Sequence, residues 1–221
     1  MTRIMEAMRS SLFKTALVSF RKLLLRCDHH YTIGGLDVAV GSSEESERKE
    51  AVAKLHEALR LVQVYAPVAF GRLHRDLKHI WVRKLYRIRG VFEPSLGTCS
   101  VDLGFLLDPL TTPGRLAMTV LHEGTHARLL RFGLTYHEAE RSRIERLCVM
   151  SEIVFAKRMN APKALLHEAH ERLQRGPLFH TDEDSRQLAA RRLAELGAPT
   201  WLVDRLARWS RPRDSKAPPR R

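Results

Sequence analysis

The stretch Thr119-Val120-Leu121-His122-Glu123-Gly124-Thr125-His126-Ala127 decides the reading of this chain. It lies inside a span with clear helix boundaries. Thr112 suits an N-cap, Pro113 the first helical position, and Gly133 the place just past the end. Residues four apart on a helix differ by only about 40° in azimuth. His122 and His126 therefore project from one face, one turn apart, where both imidazoles reach a single metal ion. Glu123 lies about 100° round, outside comfortable ligand range but able to touch a water beside the metal. Gly124 is the discordant residue, costing about 1 kcal/mol relative to alanine within a helix.

Two neutral imidazoles, an ionisable water and a carboxylate are the parts of a hydrolytic zinc site. The ion lowers the pKa of its water toward about 7, and the carboxylate takes the proton as the water attacks a polarised carbonyl. Such a site wants a third protein ligand and an open fourth position. A third histidine six residues after His126, beyond a glycine, is absent, because Leu129 and Phe132 occupy those places. A glutamate on the next helix fits better. Thr135 to Glu138 forms a capping box, so a second helix starts there. In an antiparallel helix pair Glu145 stands at nearly the height of His126, from which eighteen residues separate it. Glu152, two turns on and on nearly the same face, is the alternative ligand, or else orients a ligand histidine from behind. Cys148, among apolar neighbours, reads as core.

His122-Glu123-x-x-His126 followed after eighteen residues by Glu145 resembles the gluzincin branch of the zincin metallopeptidases, over about residues 97–155. The resemblance implies Zn²⁺ held by His122, His126 and Glu145, with Glu123 as base and proton shuttle. It also implies that the strand before the active helix, Gly97 to Leu107, lines a cleft and pairs with an extended peptide or protein substrate. Relatives add a Tyr or His that stabilises the oxyanion, for which Tyr136 and His180 are the candidates here. The run Arg143-Ile144-Glu145-Arg146-Leu147 lacks the asparagine–glutamate pairing of many relatives.

Outward from this centre, the order is a helix, a few strands, then a run of helices. Residues 1–30 read as an amphipathic helix with Phe13, Leu17, Phe20 and Leu24 on one face, suited to core packing, dimerisation or a membrane surface. Tyr31 to Val40 reads as a short strand with Gly34-Gly35 as turn or bulge. Ser42 and Glu45 form a capping box before the helical stripe Ala51, Leu55, Leu59 and Val62. Ile80 to Phe92 and Gly97 to Leu107 read as strands. Further helix signatures stand at Pro162 and at Thr181 and Asp184, with a stop at Gly197. The expectation is an α+β fold: a mainly helical single domain, residues 31–210, with a small sheet packed on the active-site helix. The Pro- and Arg-rich residues 211–221 read as a disordered tail.

Composition narrows the class. The 221 residues are 44% hydrophobic and 29% charged, with a formal charge of +13. The longest uncharged run, Leu61 to Gly71, falls short of the ~18 residues of a membrane span. Charges through the N-terminus break any secretory h-region. Three scattered cysteines fit a reducing, cytoplasmic setting. No phosphate loop, GxSxG elbow or Cys-x-x-Cys is present.

Positive charge concentrates in residues 1–30 (+4), 72–89 (+6) and the last thirteen (+4), leaving the rest near neutral. These segments suit an acidic partner or nucleic acid. They carry the alternative reading, a basic nucleic-acid- or partner-binding protein whose metal site is structural or incidental. In that case removing charge at Arg83, Lys84, Arg87 and Arg89 abolishes function, while alanine at Glu123 does not.

Overall fold

A computed structural model describes residues 18–85 and 88–176, together with residues 15 and 16 and some positions between 187 and 204. Phe13, Leu17, His180, the helix signature at Thr181 and Asp184, and the 211–221 tail lie outside the described residues.

Strands β1 (His29–Ile33) and β2 (Leu36–Val40) pair antiparallel across Gly34 and Gly35. Those glycines have φ of 57° and 81°, the two positive values that a type I′ hairpin turn requires. Helix α2 (Glu45–Tyr65) buries Ala51, Leu55, Leu59 and Val62, the stripe expected from the sequence. Its cap differs from expectation, because Glu44 is the N-cap and makes no side-chain cap bond. Ser42 Oγ instead accepts the Glu44 N–H at 3.1 Å and donates to Glu47. Helix α3 (Pro67–Asp76) then leads into β3 (His79–Arg83).

The stretch Ile80 to Phe92 is not one strand. β3 ends at Arg83, and β4 begins only at Gly90 and runs to Glu93. The cause is Asp102, whose carboxylate accepts the Leu85 N–H at 2.6 Å and draws the chain away from the sheet. The same carboxylate shortens the next strand. β5 spans Thr98–Asp102, and Asp102 caps the short helix α4 (Leu103–Leu107) by accepting the Phe105 N–H. Leu103 and Phe105 are therefore helical, not alternating strand residues.

The sheet order is β1-β2-β3-β5-β4, with β2, β3 and β5 parallel and β1 and β4 antiparallel at the two edges. Its inner face, with Val38, Val40, Ile80, Val82, Cys99 and Val101, joins the principal core against α2 and α5. The outer face, with Ala39 and Trp81, is covered together with Leu96 of the β4–β5 turn by helix α1 (residues 18–27). α1 packs through Leu25 and Val18, and Phe20 and Leu24 are exposed, which corrects the expected apolar stripe. Arg21 explains the rotation: it reaches Glu93 on β4 at 3.0 Å and fixes that side of the helix inward.

Helix α5 (Pro113–Arg131) follows the expected boundaries, with Thr112 Oγ1 accepting the Arg115 N–H and Gly133 at φ 82°. Helix α6 (Glu138–Arg158) returns against it, and α7 (Lys163–Arg175) packs on α6. The α6 cap is His137 without a side-chain cap bond, so the Thr135–Glu138 capping box does not form. The fold is α+β: mainly helical, with one small mixed sheet packed on α5. No helix among the described residues is long and apolar enough to cross a membrane.

Candidate metal centre

Every sequence-predicted ligand within the described residues converges where α5 faces α6. His122 Nε2 and His126 Nε2 lie 3.2 Å apart. Glu145 Oε2 is 3.3 Å from the first and Glu145 Oε1 is 3.5 Å from the second. A tetrahedral ion with bonds of about 2.0–2.1 Å separates its ligand atoms by about 3.3–3.4 Å. The two imidazole nitrogens thus stand at that spacing, and each meets a different oxygen of Glu145 at a similar distance. The donor set of two imidazoles and one carboxylate suits zinc.

Glu152 stands elsewhere in the site than Glu145. It is buried, and its Oε1 accepts from His122 Nδ1 at 2.6 Å, leaving Nε2 directed at the ligand cluster. Its other oxygen accepts from Arg172 of α7. This carboxylate therefore sets the ring orientation of His122, the arrangement that raises ligand basicity in metal sites. Of the two roles open for Glu152, the geometry matches the orienting one.

Glu123 stands on the adjoining side of α5, toward the sheet edge. It is 7% exposed and accepts from the Phe92 N–H of β4. Burial, with the nearby Glu145 and Glu152 charges, raises its carboxyl to about 7 against the opposing pull of His122. Gly90 makes this approach possible. A Cβ there would lie 2.9 Å from Thr119 Cγ2 and 3.2 Å from Glu123 Cγ and Oε1. The strand beside the site is thus β4, an edge strand, and not the expected Gly97–Leu107 segment. β5 is paired on both sides, by β3 and β4, and has no free edge to offer.

Tyr136 is present at the cluster. Its Oη donates to Glu145 Oε1 at 2.5 Å, and its ring stands edge-on to His126 at 5.4 Å between centroids. Burial and the Glu145 charge keep the phenol protonated by raising it well above its usual range. Cys148 is fully buried, as a core cysteine should be, yet its sulfur also lies within 4.8 Å of the His122 and His126 nitrogens. Burial and the surrounding carboxylates push its thiol up.

The titrating groups of the cluster are strongly shifted by one another. Burial alone would lower the His122 imidazole, but the hydrogen bonds it donates to Glu145 and Glu152 outweigh this and hold it at about 10. Burial and the neighbouring His122 charge push His126 down to about 4. Glu145 is lowered to about 2, because contacts with His122, His126 and Tyr136 overcome its burial.

Sequence reasoning missed Arg172 and the Gly90–Phe92 edge. Arg172 carries no local signal, since it reaches Glu152 only through the packing of α7. The edge strand was hidden by being read as the tail of β3. Other histidines serve elsewhere: His30 and His79 both bond Asp37, and His74 packs edge-on against Phe70.

Comparison with protein-family models, curated proteins and solved structures finds no match to this chain.

Proposed function

We propose that this chain is a zinc-dependent metallohydrolase of gluzincin type, acting as a peptidase. The observation that carries the reading is the triangle of His122 Nε2, His126 Nε2 and Glu145 at 3.2–3.5 Å, with Glu123 on the adjoining side of the same helix. His122, His126 and Glu145 would hold the ion, and Glu152 with Arg172 would fix the His122 ring. A zinc ion bound there supplies Lewis acidity, which acidifies a water and polarises a carbonyl.

The remaining work falls to the chain. Glu123, raised toward neutrality, takes a proton from the attacking water and returns it to the leaving amine. Its Phe92 N–H contact holds the carboxylate at the sheet edge. The outward backbone of β4 is the segment suited to lie along an extended peptide. Tyr136, whose hydroxyl keeps its proton, is the donor suited to the oxyanion. No covalent intermediate with the protein is needed.

The test is elemental mass spectrometry on the purified chain beside His122→Ala and Glu145→Ala. About one zinc per chain, lost in both variants, supports the site. A peptide-library screen with Glu123→Gln as the inactive, metal-loaded control then tests catalysis. Folded wild-type protein that takes up no zinc when it is supplied would remove the reading.

A further inference from the structure

The basic residues of this chain fall into two groups. Arg83 donates to Glu93 at 2.8 Å and Arg89 to Glu168 at 2.5 Å, so these members of the internal basic stretch are neutralised within the fold. Arg72 and Arg75, from the same stretch, turn elsewhere. α3 sets them opposite Arg128 and Arg131 from the last turns of α5, and with Val68 and Phe132 they line an open groove of about 450 Å³.

The groove holds more positive charge than its surroundings balance. Asp76, its side chain 1% exposed, accepts from Arg75 at 3.0 Å and from Arg131 at 2.8 Å. That pair of contacts fixes two guanidiniums in place with one carboxylate. Among the described residues no carboxylate pairs with Arg72 or Arg128. Arg128 lies over the Phe132 ring at 5.4 Å, and its Nη1 is buried without a hydrogen-bond partner. Burial, then the nearby Arg128 and Arg75 charges, lower the Arg72 guanidinium, against a smaller opposing pull from Asp76.

The walls indicate which anion. Val68 and Phe132 are each 65% exposed in the same groove. A free inorganic ion has no use for apolar walls, and the exposed Phe132 ring beside the guanidiniums favours an anionic chain with a planar group at every unit. A nucleic-acid strand needs both features: guanidinium forks match phosphate oxygens, and an exposed aromatic face stacks a base. We propose that the α3–α5 groove binds single-stranded nucleic acid, with Arg72, Arg75, Arg128 and Arg131 on the phosphates and Phe132 under a base. Arg128 lies about 200° round α5 from His126. The groove is therefore on the back of the metal-site helix, and binding there is separable from hydrolysis.

The probe is a fluorescein-labelled fifteen-nucleotide oligothymidylate, read by fluorescence anisotropy against the full chain. Arg72→Glu with Arg128→Glu should weaken binding at least tenfold, whereas Lys49→Glu with Arg60→Glu, an equal charge change on α2, should change it less than twofold. With about 0.7 counterions released per phosphate contact on a single strand, the groove pair should also flatten the salt slope by about 1.4. Phe132→Ala should weaken binding several-fold at unchanged salt slope. Glu123→Gln should bind as wild type, which separates this result from the fate of the hydrolase reading. If the charge-reversed pair fails to fold, Arg72→Gln with Arg128→Gln must show the same selective loss. Equal losses from both charge-reversed pairs, no loss from the groove pair, or tighter binding of an oligoglutamate peptide to the groove would each overturn the proposal.

Discussion

His122 Nδ1 meets the Glu152 carboxylate at 2.6 Å, joining the middle of α5 to the second half of α6 thirty residues later. That bond turns one imidazole so that its other nitrogen enters the ligand triangle. It also places a buried carboxylate between a candidate ligand and Arg172.

Glu152→Gln should therefore retain the fold but hold metal about 10- to 100-fold more weakly, as loss of a ligand-orienting partner does elsewhere. Competition with a chelator of known affinity reads this directly. Unchanged affinity would reduce Glu152 to a packing residue. Arg172→Met should cost about 3 kcal/mol in chemical denaturation, because it strands the Glu152 charge in the interior.

Gly90 admits the sheet edge to α5. Gly90→Ala should displace Glu123 against the 3.2 Å limit set by its own side chain and lower turnover about 10- to 100-fold, the range expected from small misplacements of a catalytic group. Zinc content should not change. Thr119→Ser removes the Cγ2 that stands 2.9 Å from the added Cβ, so the double variant should recover part of the loss. Kinetics of the four proteins decide it, and no recovery would place the damage elsewhere.

Gly124 looks costly in a helix, yet an added Cβ would stand 2.2 Å from Leu73 Cδ2. Overpacking of a filled core costs about 1–3 kcal/mol, against a gain of about 1 kcal/mol in helix propensity. Gly124→Ala should thus be neutral to destabilising in wild type but stabilising in a Leu73→Ala background. A thermal-unfolding cycle measures the difference, and additivity would disprove the contact.

Asp76 gives the fold an acid-sensitive clamp between α3 and α5. Burial raises its carboxyl, but the Arg75 and Arg131 guanidiniums more than offset this and leave it below its usual value of 3.8. A depressed carboxylate stabilises the fold above the unfolded pKa and loses that contribution as pH falls through the folded one. Stability should therefore decline below about pH 4, and Asp76→Asn should flatten that limb while lowering stability at pH 7. Denaturation midpoints between pH 2.5 and 7 provide the check; parallel curves for the two proteins would rule the clamp out.

The chain's own periodicity determined the helix of the histidines, its caps at Thr112 and Gly133, the α2 stripe and the Gly34-Gly35 turn. Each depends on contacts within one turn or one hairpin, where residue spacing and backbone preference act alone. The candidate ligands were legible for the same reason: His122 and His126 share a helical face, and one short turn brings α6 back alongside. Tertiary structure decided what depends on distant partners. Asp102 ended two strands by capturing Leu85 and Phe105, and that left β4 at the edge beside Glu123. Arg21 rotated α1, and α7 delivered Arg172 to Glu152. Net charge could be summed from the sequence, but only packing showed that Arg83 and Arg89 pair with carboxylates while, among the described residues, Arg72 and Arg128 do not. Coulomb energy depends on separation in space, which no linear spacing records.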